Sequence, residues 1–208
     1  MEDVLDVYTR PYDPCYPQVC MDETNKQLLA EERPALPVQP GHAARIDSEY
    51  IREGVANLFL FSEPLQAKRW VTVTDHRTRK DWAERIEDLV DIQYPSATKI
   101  ILVMDNLNTH SPSSLYETFP PDKAKRLADR LEIHYTPKHG SWLNVAEIEL
   151  SVLAGQCLDR RIPDTAMLIR EVAAWQDTRN QVGGRVNWRF TTADARITLK
   201  HLYPTILV

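Results

Sequence analysis

The hydrophobic residues of the chain form short apolar runs in its first two thirds and helical periodicities in its last third. The apolar runs predict strands at residues 18–22, 55–63, 69–76, 98–105 and 131–137. The runs at 55–63 and 69–76 flank a turn at Pro64, so they predict a hairpin. The run at 98–105, TKIILVMD, is apolar almost throughout, which is typical of a central strand buried on both faces.

Apolar residues three or four positions apart predict amphipathic helices between and after these strands. The helices are expected at residues 79–92, near 121–130, at 146–157, from Leu168 to about Asn180, and after Thr191. Thr78 with Asp81, and Thr191 with Asp194, have the spacing of a capping box, which marks a helix start. This order of elements predicts an α/β fold in which a mixed sheet has helices on both faces.

The N-terminal segment is rich in proline and predicts little regular structure. Residues 1–17, which contain Pro11, Pro14 and Pro17, are therefore expected to be a lead-in segment to a domain at 18–208. A polar stretch with Pro34, Pro37 and Pro40 follows the first strand and predicts a long connection.

The cysteine count and the hydropathy exclude several classes of protein. Cys15, Cys20 and Cys157 are odd in number and lack metal-ligand spacing, so neither a disulfide framework nor a zinc site is indicated. No apolar run approaches the roughly 20 residues of a membrane span. The N-terminal MEDVLDVYTR also lacks the basic and apolar regions of a signal peptide. These features predict a cytoplasmic protein with no membrane partner.

The formal net charge of −5 opposes tight binding to nucleic acid. The charge is uneven, however: residues 151–208 carry eight basic and five acidic side chains, whereas residues 1–150 carry 17 and 25. The asymmetry fits an acidic metal site followed by a basic DNA-facing part, and it fits a chance distribution over a solvated surface equally well.

Two aspartates occupy positions where a sheet can build a site. Asp22 and Asp105 each follow an apolar run, and their carboxylates converge if the two strands are parallel neighbours. Two close carboxylates repel each other unless a cation lies between them, and oxygen ligands suit magnesium or manganese. The alternative is that each aspartate forms a turn or caps a helix, which is the more common role of a single such residue.

The third carboxylate of such a site has two candidates on the helix at 146–157. Glu147 lies three residues after Asn144, so it is either a metal ligand or the glutamate of a capping box. Glu149 is the rival ligand, but two residues of helix rotate it by roughly 200° from Glu147. Only one of them can face the aspartates, and periodicity does not decide which.

Three blocks of sequence resemble the catalytic blocks of DDE transposases from bacterial insertion sequences of the mariner superfamily. They are VCMDE at 19–23, VMDNLNTH at 103–110 and YTPKHGSWLNVAEIE at 135–149. The resemblance implies a ribonuclease-H-like domain with a mixed five-stranded sheet. It also implies that Asp22, Asp105 and Glu147 hold two Mg²⁺ or Mn²⁺ ions for DNA cleavage and strand transfer, and that the full-length protein acts as a homodimer on transposon ends in the bacterial nucleoid.

The blocks also suggest roles for neighbouring residues. Three residues that are not ligands in the family pattern, Asn106, His110 and Asn144, are expected to shape the site. Contact with DNA is expected from Lys138, His139, Arg160 and Arg161. The alternatives are a histidine at 110 that bonds to loop backbone, and plain surface for the basic residues. Trp142 is either a base-stacking residue or part of the core.

Family members resemble this chain only in their C-terminal part and carry helix-turn-helix modules before it. Residues 1–17 contain no segment suited to a recognition helix, so weak and largely sequence-independent cleavage is expected from this chain. Two alternatives stay open: a ribonuclease-H-like nuclease or junction resolvase, and a non-catalytic interaction module that inhibits a longer relative.

Overall fold

The computed structural model describes residues 1–33, 36–43, 47–138 and 140–203. Its strands are β1 (Gln18–Glu31), β2 (Tyr50–Glu63), β3 (Lys68–Thr74), β4 (Ile100–Met104) and β5 (Leu131–Tyr135). They form one sheet in the order β3-β2-β1-β4-β5. β1 pairs antiparallel with β2 and β2 antiparallel with β3, whereas β1, β4 and β5 are parallel. The mixed sheet and the β2–β3 hairpin are therefore confirmed.

The helices begin and end close to the sequence signals. They are α1 (Glu2–Thr9), α2 (Arg79–Asp88), α3 (Pro112–Thr118), α4 (Pro121–Asp129), α5 (Val145–Leu153), α6 (Thr165–Val182) and α7 (Thr192–Thr198). Both capping boxes form, at the starts of α2 and α7. α6 ends at Gly183, whose φ of 69° is the left-handed conformation that favours glycine at a helix end. α3 was not expected, and it begins with Pro112, a residue suited to a first helical turn.

Helices cover both faces of the sheet because side chains alternate along each strand. On β1, Val19 and Met21 point into a core built with α2, α3 and α4, whereas Cys20 points into a core built with α1, α5 and α6. β4 is buried along its whole length, as its apolar sequence predicts. No helix in the described ranges is both long enough and apolar enough to cross a membrane.

The expectation of little regular structure before residue 18 is wrong for α1. Val4, Leu5 and Val7 are fully buried in the same core as α5 and α6. The prolines restrict only the segment after this helix, because α1 ends at Thr9, before Pro11. Burial of its apolar face stabilises this short helix, and the local sequence does not reveal that burial.

The expectation that the first strand ends at Asp22 is also wrong. β1 continues to Glu31, paired with β2. The parallel neighbour β4 ends at Met104, so within the described residues the second half of β1 has a strand on one side only. Asp22 therefore lies inside a long strand, at the point where its neighbour stops.

Candidate active site

The parallel register of β1 and β4 brings Asp22 next to Asp105. Cys20 pairs with Val103, and each aspartate lies two residues further along its strand. Neighbouring strands are about 4.8 Å apart, so the two backbones remain close at this level. Alternation puts Asp22 on the face of Cys20, which is the face that α5 covers.

Asn144 fixes the start of α5 against this part of β1. Its side chain is almost fully buried, accepts a hydrogen bond from the backbone N–H of Ala146 (3.1 Å) and donates one to the backbone carbonyl of Met21 (2.9 Å). Glu147 lies in the helical turn that Asn144 caps. The reciprocal capping boxes of the described helices are at α2 and α7, so the capping-box alternative for Glu147 is not the arrangement seen.

The negative charges of Asp105 and Glu147 act on the carboxyl group of Asp22. Burial, together with the negative charges of Asp105 and Glu147, raises the pKa of Asp22 to about 6, although the Glu23 backbone N–H donates to its Oδ1 at 2.7 Å and opposes the shift. Within the described ranges neither Asp22 nor Glu147 has a basic side chain as an ion-pair partner. The cluster therefore carries an excess of negative charge that a cation would neutralise.

His110 bonds to two carboxylates rather than to loop backbone. Its fully buried ring lies on Trp82, with Nδ1 2.5 Å from Asp105 Oδ1 and Nε2 3.4 Å from Glu23 Oε2. Burial alone would lower the pKa of His110, but the hydrogen bonds and charges of the two acids raise it to about 9. The ring is therefore an imidazolium at neutral pH and holds Asp105 by a charge-assisted bond.

Glu23 belongs to this arrangement and was not among the candidates from the sequence. Its side chain is 5% exposed, contacts His110 and lies 3.6 Å from Arg77 Nη1. It is on the opposite face of β1 from Asp22, with Met21. The alternation of VCMDE contained the signal, since it puts one of two consecutive acids on each covered face of the sheet.

A cleft of about 420 Å³ opens beside Asp105. It is lined by Asp105, Asn106, Leu107, Thr136, Pro137, Lys138 and Ser141. Lys138 is exposed and has no ion pair among the described residues, so its charge is available to a ligand in the cleft. His139, the neighbouring candidate, lies outside the described residues.

Arg160 and Arg161 lie away from this cleft and are paired with acids of the chain. Arg160 forms an ion pair with Glu171. Arg161 pairs with Glu31 at 2.6 Å, nine residues along β1 from Asp22, which is about 30 Å of extended strand. The structure therefore does not bring these arginines to the carboxylate cluster.

Glu149 has a structural environment that differs from that of Glu147. It is fully buried and accepts two hydrogen bonds from the buried Arg69, at 2.6 and 2.9 Å, and two from Arg179, at 3.1 and 3.2 Å. Burial alone would raise the pKa of Glu149, but the two guanidinium groups lower it. Its oxygens are thus occupied inside the protein, on the far side of α5 from the aspartates.

The donor set of the cluster suits a hard cation. Asp22, Asp105 and Glu147 offer carboxylate oxygens, the ligands that Mg²⁺ and Mn²⁺ prefer. Among the described residues no three His, Cys, Asp or Glu side chains already converge at metal-binding distance, and the resolved effect within the cluster is that of the Asp105 and Glu147 charges on Asp22.

These features define a class of protein, a ribonuclease-H-like domain with an acidic centre on its central strand β1, at the level where the parallel neighbour β4 ends. The chain belongs to the DDE superfamily endonuclease family, whose profile matches residues 17–169. Membership of the DDE superfamily and the ribonuclease-H-like fold, which the three sequence blocks imply, are both confirmed.

Solved structures of the Mos1 mariner transposase share this fold. The chain is similar to the Mos1 paired end complex with Mn, with a TM-score of 0.58, 16% identity and coverage of 86% of this chain and 54% of that chain. For the Mos1 strand transfer complex the TM-score is 0.57 at 16% identity, with coverage of 84% and 50%. The chain thus spans about half the length of the Mos1 chains. No match was found among curated protein sequences.

Proposed function

We propose that this chain is the catalytic domain of a transposase, which cleaves DNA strands and joins them to a target by metal-dependent phosphodiester chemistry. The observation that carries the proposal is the electrostatic effect of Asp105 and Glu147 on Asp22, at the level of β1 where β4 ends. Membership of the DDE endonuclease family supports it. The similar Mos1 structures, a paired end complex and a strand transfer complex, support the same reaction class.

The ligands in this proposal are Asp22, Asp105 and Glu147, and the cofactor is a pair of Mg²⁺ or Mn²⁺ ions. When bound, such ions activate the attacking hydroxyl and stabilise the leaving oxygen of an in-line displacement at phosphorus. The fit rests on the oxygen-only donor set and on the excess negative charge around Asp22. The Mos1 complex with Mn agrees with this choice of ion.

The surrounding residues hold the carboxylates in position. Asn144 keeps the first turn of α5 against β1, which limits the movement of Glu147 relative to Asp22. His110 holds one oxygen of Asp105, and the other has no hydrogen-bond partner among the described residues. Asn106, in the wall of the cleft, is assigned to the contact with the substrate phosphate. These are positioning and binding roles, and none of them transfers electrons or protons to the substrate.

DNA is the proposed partner, and the transposon ends and the target are its proposed forms. Lys138 and His139 are assigned to phosphate contacts because Lys138 lines the cleft beside Asp105. Arg160 and Arg161 are assigned a secondary role, because each would have to release its glutamate partner before it could bind a phosphate. We further propose that the full-length protein is a homodimer on paired ends. The catalytic domain proposed at 18–208 includes α1 as well, because α1 packs into its core.

The test is cleavage of an end-labelled DNA duplex in Mg²⁺ and in Mn²⁺. Asp22→Asn, Asp105→Asn and Glu147→Gln should each reduce the rate at least about 100-fold, because each removes a charge that binds the cation. Asp177→Asn and Glu53→Gln, at exposed positions, are the matched controls and should cleave normally. Undiminished cleavage by Asp105→Asn, or faster cleavage of an RNA:DNA hybrid than of the duplex, contradicts the proposal.

A further inference from the structure

An exposed aromatic group adjoins the cleft of the proposed active site. Trp142 lies in the short turn Ser141–Leu143 that leads into α5, and 44% of its surface is exposed. Its ring stacks on Trp188, with centroids 6.4 Å apart and planes 18° apart, and Phe190 meets it edge-on at 5.8 Å. We call Trp142, Trp188 and Phe190 the aromatic patch. Ser141, the residue before Trp142, lines the cleft together with Asp105.

Contacts with α1 and within the patch hold the aromatic patch in place. Tyr8 of α1 packs against Trp188 at 4.9 Å between ring centroids, and its hydroxyl donates to the backbone carbonyl of Leu143 at 2.6 Å. The indole N–H of Trp188 donates to the carbonyl of Phe190 at 2.7 Å. These contacts restrict the patch before any ligand arrives, which lowers the entropy cost of stacking a planar group on it.

The charge of the two segments that supply the patch favours a polyanion. Residues 133–146 and 178–193, the two segments that supply the three aromatic residues, contain no aspartate or glutamate, although the whole chain has a net charge of −5. They contribute exposed basic side chains at Lys138, Arg185 and Arg189. In the part of the chain that the structure describes, none of these three forms an ion pair.

We propose that the aromatic patch binds an unpaired base of the DNA strand held in the cleft. The base stacks on the exposed face of Trp142, and Arg189 and Lys138 contact the adjacent phosphates. A base in a duplex has both faces covered by its neighbours, so this contact selects frayed, overhanging or displaced nucleotides. The inference rests on the proposed function in one respect, namely that DNA is the substrate.

A protein partner fits the patch less well than a base. Trp142 is the one exposed member, since Trp188 and Phe190 are half-buried. A single exposed ring offers less apolar area than a stable protein interface needs. An exposed planar ring, in segments that carry unpaired basic side chains and no acid of their own, is instead the arrangement that single-stranded nucleic acids recognise.

The test compares two DNA ligands by fluorescence anisotropy in EDTA, where no cleavage occurs. One is a labelled duplex with three unpaired nucleotides at an end, and the other is the blunt duplex of the same base pairs. Trp142→Ala should weaken binding of the overhang DNA about 5- to 100-fold and change binding of the blunt DNA by less than about twofold. Trp142→Phe should retain most of the affinity because it keeps a stacking ring.

Two further variants separate stacking from charge. Tyr116→Ala removes an aromatic ring of similar exposure from α3 and should leave both affinities unchanged. Arg189→Ala should weaken both ligands and reduce the salt dependence of binding by about one phosphate contact. Far-ultraviolet circular dichroism and thermal unfolding of each variant verify that the fold is intact.

Several outcomes overturn the inference. The first is that the wild-type protein does not prefer the overhang DNA. The second is that Trp142→Ala weakens binding of both ligands equally, or of neither. The third is that a dimer dissociates in Trp142→Ala while the DNA affinity is unchanged, which would assign the patch to a second copy of the chain. Metal-dependent cleavage without the overhang preference sinks this inference alone. The overhang preference without any metal-dependent cleavage sinks the proposed function alone.

Discussion

The side-chain amide of Asn144 donates a 2.9 Å hydrogen bond to the backbone carbonyl of Met21, and this bond joins the start of α5 to the first half of β1. Met21 directly precedes Asp22, and Asn144 is the N-cap of the turn that carries Glu147. One buried amide therefore connects the backbone positions of two of the three proposed ligands.

Asn144→Asp tests this connection. A carboxylate still accepts from the helix N–H groups, but it cannot donate to Met21 and leaves a buried carbonyl without its partner. We expect a loss of about 1–3 kcal/mol in the free energy of unfolding. We also expect the cleavage rate to fall by more than this loss of stability explains. Urea denaturation and the cleavage assay are compared with Asn187→Asp, an exposed control. Equal cleavage by both variants would remove the positioning role.

Glu147 and Glu149 should respond to neutralisation in opposite ways. Glu149→Gln breaks the buried pair with Arg69, so we expect a loss of about 3–5 kcal/mol in the free energy of unfolding. Glu147→Gln relieves repulsion on Asp22 and should change that free energy by less than about 1 kcal/mol, without lowering it. Urea denaturation in EDTA measures both. A strongly destabilised Glu147→Gln protein would show that Glu147 has a structural role instead.

The raised pKa of Asp22 predicts a pH dependence in the metal-free protein. Because this pKa is about 6 in the folded state and lower in the unfolded chain, folding favours the protonated form. Stability should therefore fall as the pH rises from about 4 to beyond 6. Asp22→Asn should flatten this part of the profile, as measured by thermal unfolding in EDTA.

The same carboxyl group should make cation binding depend on pH, because a proton on Asp22 competes with the metal. The affinity for Mn²⁺, measured by calorimetry, should rise with pH up to about 6 and then level off. A Mn²⁺ affinity that is independent of pH between 5 and 7 would show that Asp22 is not part of the binding site.

The raised pKa of His110 predicts a second pH dependence, in which folding favours the charged form of a base rather than the neutral form of an acid. Its pKa is raised to about 9, so the stabilisation that its charge provides is complete below about 6.5 and is lost as the pH rises through 9. The change should amount to about 3 kcal/mol. His110→Gln should abolish it, whereas the exposed control His76→Gln should retain it. Urea denaturation at pH 6, 7.5 and 9 measures the difference.

Local signals predicted those parts of the fold that local interactions determine. The capping boxes at Thr78 and Thr191 and the apolar run of β4 each appear within a few residues of their predicted places. α1 and the second half of β1 were missed because their stability comes from contacts with residues distant in sequence. Propensity and periodicity do not contain those contacts.

The candidate site shows the same division. Alternation and strand ends suggested Asp22 and Asp105, and motif resemblance suggested Glu147. Periodicity left Glu149 as a rival because the partner that occupies it, Arg69, is 80 residues away in sequence. Glu23 was not predicted because its contact with His110 depends on the path of the loop after β4, which the sequence does not define.

α5 carries two acids with separate roles on opposite sides of the helix. Glu147 faces the aspartates, and Glu149 faces Arg69 and Arg179. Substitutions can alter either role alone, but a single-residue insertion or deletion before Glu147 turns the whole helix by about 100° and disrupts both. Natural length variation should therefore be absent from the segment between Asn144 and Glu149, even where the residues at its exposed positions drift freely.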